Sequence, residues 1–467
     1  MDVRGGSGVN RMANRPVTTL LYVAAVLVIF LSTCSPASAL PAFARKYGMP
    51  CSSCHEAWPK LSPFGQQFKD NGYQMGNDRD APIFQNPAYW PVTFRMTPYW
   101  HRESTDKTQV DGANGVGGNE AQVTTHGFDW SGLDFHTAGT LANNYSFYVL
   151  PSSDNTGAFH FESVWARVDN IAGSSWLNIK FGKFELDNLL SEKRILTLSP
   201  VGGFYENYHF QPFLTPGNRE SSYTFGIGDN QDGIEWMGHS KNDRTRISAA
   251  LISDNDGTPG LPTNRGYGGF FAASQAFQLG SMGLQRVGGF AYIGQQPTYF
   301  QYTTGGAGIP GTGIGNQRIY RVGLIGMWYL KKFDITTMYF HSGDNGTLAS
   351  TTALTGAPPP PPSVTGARSP SWNGGLFESH YNLNPQLILI NRYELVRMSQ
   401  QVFATNPGNL GNTDTLTFGL RYYPFISSRA GFAYHAEYAI SRIRGGSPVT
   451  FTDVTSSSLL GGIDFDF

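Results

Sequence analysis

The chain has 467 residues, a net charge of −1, 14% charged and 14% aromatic residues, and 56 glycines. A charge near zero leaves no electrostatic footprint for nucleic acid, and the aromatic content excludes a disordered chain. After residue 40 no apolar run reaches the roughly 20 residues that a membrane helix needs, so what remains is a Gly- and Tyr-rich β protein.

The chain opens with Arg4, Arg11 and Arg15, an apolar stretch from Leu20 to Leu31, and Ala37-Ser38-Ala39, which has the small-x-small form of a cleavage site. Residues 1–39 therefore read as a cleaved signal peptide for export, with Met12 as an alternative start. Cys34 would leave with it, so the mature chain would keep Cys51 and Cys54. In an exported protein two such cysteines suggest a small disulfide loop. The sequence Cys51-Ser52-Ser53-Cys54-His55 favours another reading, because Cys-x-x-Cys-His is the attachment signature of c-type haem: two thiols add to the vinyl groups and the imidazole ligates the iron.

Residues 40–86 read as a small module around that signature. Ser62-Pro63 has the form of an N-cap followed by Pro at the first helical position, Phe64 and Phe68 fall four apart on one helical face, and Asn71-Gly72 supplies a stop. With Phe43, Tyr47, Trp58, Leu61 and Tyr73 they make an aromatic shell. A segment this short needs a metal, a cofactor or a neighbouring wall to complete its core.

From residue 87 to 467 the pattern becomes strict alternation broken by turn residues. Leu177, Ile179 and Phe181 oppose Asn178, Lys180 and Gly182. Leu416, Phe418, Leu420 and Tyr422 oppose Thr415, Thr417, Gly419 and Arg421. Phe432, Tyr434, Ala436, Tyr438 and Ile440 oppose Ala433, His435, Glu437, Ala439 and Ser441. These are strands with one apolar and one polar face. A soluble sandwich alternates too, but three features favour a transmembrane antiparallel β-barrel of about 16 strands. The strands are long enough to span a membrane at a tilt. Aromatic pairs such as Tyr89-Trp90, Tyr99-Trp100, Trp328-Tyr329 and Tyr422-Tyr423 sit where interfacial girdles belong. The sequence also runs out through Ile463, Phe465 and Phe467, similar to the C-terminal assembly signal of bacterial outer-membrane proteins. The Gly-rich stretch Thr303 to Asn316 and the segment Gly343 to Ser371, with prolines from Pro358 to Pro362, read as extracellular loops outside the sheet.

Two blocks carry a family resemblance: Phe43-Ala44-Arg45-Lys46-Tyr47-Gly48-Met49-Pro50 running into the Cys51–His55 signature, and Pro59 through Tyr73. They resemble the N-terminal module of the fused single-haem cytochrome and porin family, which includes the outer-membrane iron oxidases of iron-oxidising bacteria. Gly182-Lys183-Phe184-Glu185 is similar to a strand of the same proteins. The resemblance implies an outer-membrane electron conduit with one covalent haem c, held by Cys51 and Cys54 with His55 as proximal iron ligand. Its donor would be extracellular Fe(II) or another reductant, its acceptor a periplasmic c-type cytochrome or similar carrier, and its surroundings outer-membrane lipid.

The second axial ligand falls first to Met75, because it lies beyond the helix stop, where the chain can fold back, and Met ligation raises the potential. Met96, His101, His126 and His136 come into play if the module plugs the barrel. No nucleophile or general-acid motif stands out. His435 and Glu437 could hold a metal but also suit a polar lumen, and Asp229, Asp232, Asp254 and Asp256 read as turn residues. The rival readings are a diffusion porin whose haem module is an idle plug, and a conduit running in the reductive direction.

Overall fold

The structure is a computed structural model. It describes residues 43, 47, 49, 53–57, 60–71, 73, 75, 92–111, 118–153, 156–186, 230–253, 267–297, 302–304, 307–309, 316–343, 371–398, 412–424, 431–444, 447, 450 and 452–466. The signal segment, the boundary near residue 86, Cys51, the polyproline run, Phe467, and Asp229, Asp254 and Asp256 lie outside the described residues.

The described chain begins with a short pair, β1 (His55–Ala57) and β2 (Lys60–Leu61), and one helix, α1 (Pro63–Asp70). The strands that follow are β3 (Val92–Gln109), β4 (Glu120–Ala142), β5 (Tyr145–Ser153), β6 (Phe159–Val168), β7 (Asn178–Glu185), β8 (Asn230–His239), β9 (Thr245–Ile252), β10 (Gly268–Gln278) and β11 (Leu284–Pro297). After them come β12 (Tyr302–Thr304), β13 (Ala307–Ile309), β14 (Asn316–Leu330), β15 (Phe333–Gly343), β16 (Ser371–Asn384), β17 (Leu387–Met398), β18 (Thr413–Tyr422), β19 (Gly431–Ile443) and β20 (Val454–Asp466). Sixteen of them, β3–β11 and β14–β20, pair with their sequence neighbours and close into a barrel through β20 and β3. That seam is antiparallel, with Leu460 opposite His101 and Asp466 opposite Arg95. Closure leaves no sheet edge, which is what a strand protein needs to place its backbone in lipid.

The alternation decides which face each side chain takes. On β18 Phe418 is 49% exposed and Thr417 1%. On β7 Phe181 is 59% exposed and Lys180 5%. Leu177, Ile179, Leu420, Tyr422, Tyr434, Tyr438 and Ile440 all lie outside, while Thr415, Arg421, Ala433, His435, Glu437, Ala439 and Ser441 lie buried inside. An apolar exterior on a closed barrel of this size is the surface of a transmembrane protein. The hairpin connections 143–144, 331–332 and 385–386 are two residues long, whereas those at the opposite end include 186–229 and 344–370. The barrel thus has a short-turn end and a long-loop end.

Two expectations change. The Gly-rich stretch around Thr303 pairs after all, as the β12–β13 hairpin with Tyr302 opposite Ile309. Asp232 lies inside β8 rather than in a turn, opposite Lys183 of β7.

Candidate functional site: the N-terminal module against the inner barrel wall

The helix of the module is closed at both ends by its own sequence. Ser62 Oγ accepts the Gly65 N–H at 3.1 Å, and Pro63 occupies the first turn, where its missing donor costs nothing. At the other end the Asn71 N–H donates to the Gln67 carbonyl at 2.9 Å, and the Tyr73 N–H donates to the Phe68 carbonyl at 2.9 Å. The second bond is the six-to-one closure of a Schellman cap, with the apolar contact that accompanies it: the Phe68 and Tyr73 rings lie 6.0 Å apart.

The same cap ties α1 to the cysteine signature. The Ser62 N–H donates to the Cys54 carbonyl at 2.8 Å, and its hydroxyl donates to the Ser53 carbonyl at 3.1 Å. His55 pairs with Leu61 across β1 and β2. Gly65 lies so close beneath this turn that a Cβ there would fall 2.0 Å from the Cys54 carbonyl oxygen, so only glycine allows the helix to seat on it. Cys54 is a free thiol among the described residues and is partly buried; burial pushes its thiol above the usual range. The His55 imidazole lies outside the described side chains.

Around the turn stand Phe43, Tyr47, Phe68 and Tyr73 of the expected shell, whereas Trp58 lies outside the described residues. Phe43 packs edge-on to Phe68 at 4.9 Å and flat on Tyr73 at 5.2 Å, and Tyr47 packs edge-on to Phe68 at 5.6 Å. Phe68 is 7% exposed, but Phe64 is 39% exposed, so the spacing of four does not bury both rings. Met75 packs partly buried against this cluster.

The module completes its core on the inside of the barrel. Tyr73 stacks on Trp165 of β6 at 6.0 Å and on Tyr148 of β5 at 6.5 Å, and those two rings stack on each other at 5.9 Å. Arg167 Nη2 donates to the Lys69 carbonyl at 3.1 Å, and Lys69 Nζ meets Glu185 Oε2 at 3.3 Å. Behind Tyr148 stands His136, its Nδ1 2.8 Å from the hydroxyl, and Asp134 lies 3.8 Å from its Nε2. Arg167 and Lys180 each place a cation 5.6 Å from the Trp165 ring centre.

The inner wall carries an apolar stretch and a charged one that overlap on β15–β17, and the apolar stretch also buries the Lys180–Glu235 pair and Arg321. From β7 to β17 the inward positions include Phe184, Ile252, Phe270, Phe290, Tyr292, Ile325, Met338, Phe340, Leu376 and Val396, all buried and joined to Phe68 and Tyr73 in one apolar cluster. A porin lumen is usually polar, so this stretch differs from the expectation of a polar interior. From β15 round to β4 the wall is charged and paired. Glu378 holds Arg392 and His380 at 2.6 Å each, Asp464 holds Arg421 at 2.8 Å and lies 3.4 Å from His435, and Arg95 lies 3.5 Å from Asp134.

The structure sorts the remaining candidates. Met96 takes the outward register between Leu133 and Phe465. His101 bonds Glu103 at 2.8 Å, and His126 is exposed. Of the histidines considered beside Met75, His136 stands next to the module. His435 and Glu437 are buried wall residues, and among the described residues no group of three His, Cys, Asp or Glu side chains is placed to hold a metal ion. The sequence reading missed Trp165, Tyr148 and Arg167. Their signal was Trp165 itself, a large aromatic on the polar register of β6, between Ser163 and Arg167.

No protein-family model matches the chain, and no curated relative matches it. Among solved structures it is similar to an anion-selective porin from Comamonas acidovorans, at 11% identity and TM-score 0.47 over 80% of this chain and 99% of that one. It is likewise similar to the OmpF of Salmonella typhi in complex with daunomycin, at 10% identity and TM-score 0.46 over 83% and 100%. A third is a loop-deletion mutant of OmpT, an outer-membrane protein of Vibrio cholerae, at 12% identity and TM-score 0.43 over 81% and 100%. The sixteen-strand closure itself stands on the hydrogen-bonded ladders.

Proposed function

We propose that the chain is an outer-membrane electron conduit, in which a module carrying one covalent haem c sits inside a porin-type barrel. It takes electrons from an extracellular donor, ferrous iron being the one implied by the resemblance, and delivers them to a periplasmic carrier. The observation that carries this reading is the buried apolar cluster running from Phe68 and Tyr73 across the inner wall to Phe340. These side chains are buried together with the module's own rings, so water is excluded from this part of the barrel, which suits a bound apolar group and not an open diffusion channel.

The residues present suit the group. Cys54 offers a partly buried sulfur beside His55, in a turn that Ser62 and Gly65 hold against α1. Cys51 would supply the second thioether, His55 the proximal nitrogen and Met75 the distal sulfur. Bound in this way, the group supplies a one-electron ferric–ferrous couple. The chain's own residues do the rest. Phe43, Tyr47, Phe68 and Tyr73 exclude water from the turn, and a drier enclosure tunes the potential. Trp165, Tyr148, Arg167 and Glu185 fix the module's height and orientation in the barrel.

The diffusion-porin reading keeps one supporting observation, the closed sixteen-strand barrel. Direction of flow depends on the potentials of the partners, so a reductive conduit would use the same residues. The test is spectroscopic. Ferrous iron added to the purified oxidised protein should shift its haem bands promptly to the reduced form, and the response should vanish in Cys54→Ser. Absence of haem bands, or bands that stay oxidised, would overturn the iron reading.

A further inference from the structure

The short-turn end of the barrel is not uniformly charged. Three of its hairpins, β8–β9, β10–β11 and β14–β15, are consecutive around the rim. Their turns and adjoining strand ends carry Lys241, Arg244, Arg246, Arg286, Lys331 and Lys332 against two carboxylates, Asp243, held by Arg246 at 2.8 Å and 3.6 Å from Arg286, and Asp334, buried and 3.9 Å from His380. Lys241, Arg244, Lys331 and Lys332 are exposed. The other described turns at this end, 143–144, 169–177, 383–386 and 423–424, carry no charge but Asp169, which is buried and bonded to Arg167 at 2.6 Å.

Two details mark the arc as more than scattered lysines. Between the basic turns the β10–β11 hairpin exposes Leu279 and Met282, giving an apolar centre with a cationic rim, the anatomy of a protein interface. Lys331 also adopts φ 59°, in a two-residue hairpin whose left-handed positions suit Asn or Gly. The β4–β5 hairpin places an asparagine, Asn144, at the left-handed position of its own two-residue turn, the second one, at φ 60°. A lysine held in that conformation keeps its charge at the expense of backbone strain.

We propose that this arc is the docking face for an acidic soluble redox protein of the periplasm. It lies at the short-turn ends of β9, β10, β11 and β15, whose inner faces carry Ile252, Phe270, Phe290 and Phe340 further up the strands, in the apolar cluster that reaches the module. Anionic phospholipid headgroups share the same charge chemistry. Lipid, however, surrounds a barrel on every side, whereas these cations occupy one arc of the rim. The inference rests on the conduit reading only for the redox nature of the partner; the docking itself requires no turnover.

The test uses the full-length protein in neutral detergent and two forms of mitochondrial cytochrome c as probes, the native basic protein and its succinylated, acidic form. Thermophoresis at low salt should show the acidic form binding and the basic form not. The triple variant Lys241→Glu, Lys331→Glu, Lys332→Glu should weaken binding at least about tenfold, as should raised salt. A second variant, Lys331→Asn with Lys332→Gly, removes two charges while relaxing the turn, and should also weaken binding with the barrel's heat-modified gel mobility unchanged. Equal binding of the acidic probe to wild type and triple variant would overturn the proposal. So would loss of co-purifying phosphatidylglycerol from the triple variant with probe binding intact, which would assign the arc to lipid. Failure of ferrous iron to reduce a wild type that still binds the acidic probe would count against the conduit reading and leave the docking face standing.

Discussion

Gly65 and Trp165 show how single positions determine whether the module exists and where it sits. At Gly65 an added methyl meets backbone, the Cys54 carbonyl at 2.0 Å, and backbone cannot rotate aside. Gly65→Ala should therefore cost about 3 kcal/mol or more of module stability. The barrel would survive it, so the measurement is haem content per barrel in detergent-purified protein, expected to fall several-fold with unchanged heat-modified mobility. Ser62→Ala removes both the cap and the bond to Ser53, a loss of about 1–2 kcal/mol, and should give the same phenotype more mildly. Trp165 acts on placement. Its truncation removes the stack under Tyr73 and should cost about 3–5 kcal/mol at the contact. Limited proteolysis of Trp165→Ala should cut the segment around α1 while wild type resists; equal resistance would mean that the stack does not hold the module.

At the scale of elements, the barrel strands separate two kinds of charged pair. Glu378 is buried and bonds both Arg392 and His380, so Glu378→Ala removes the direct partner of a buried guanidinium that only Glu394 and Glu437 then offset, and should cost about 2–4 kcal/mol. Arg442 and Asp453 form a pair on the exposed rim, with the Arg442 side chain 62% accessible, and Arg442→Ala should cost less than about 1 kcal/mol. Guanidinium unfolding in detergent compares the two directly, and similar losses would contradict the assignment of Glu378 to a sealed wall. The strands themselves were legible. A period of two names both faces of β7, β18 and β19 without any tertiary information, and the cap residues Ser62 and Asn71 mark α1 to the residue. The apolar stretch of the lumen was not legible. On β14 the run Tyr320 to Met327 is apolar on both faces apart from Arg321, and only closure of the barrel shows that Ile325 and Met327 point inward while Val322 and Leu324 meet lipid. The hairpin at Tyr302 was hidden for a related reason, because glycine obscures alternation by giving neither face a side chain.

For the whole molecule, what sequence could and could not tell divides along local and non-local lines. The Cys51–His55 spacing, the cap and the aromatic residues of the module are local, and the cap and Phe68 and Tyr73 are placed as that local pattern expects, on a neighbouring wall. The residues that receive them are Trp165, Tyr148 and Arg167, joined to Tyr73 and Lys69 only by the fold. The proposed conduit depends on that junction, because it would need the module, seated on the wall inside a closed barrel, to pass charge where solutes do not cross. The most direct test is transport of electrons without transport of iron. Vesicles containing the protein would enclose oxidised cytochrome c and a membrane-impermeant ferrous chelator, with ferrous iron added outside. The account predicts that the enclosed cytochrome is reduced while the chelator stays colourless; colour in the chelator, or a cytochrome that stays oxidised, would contradict it.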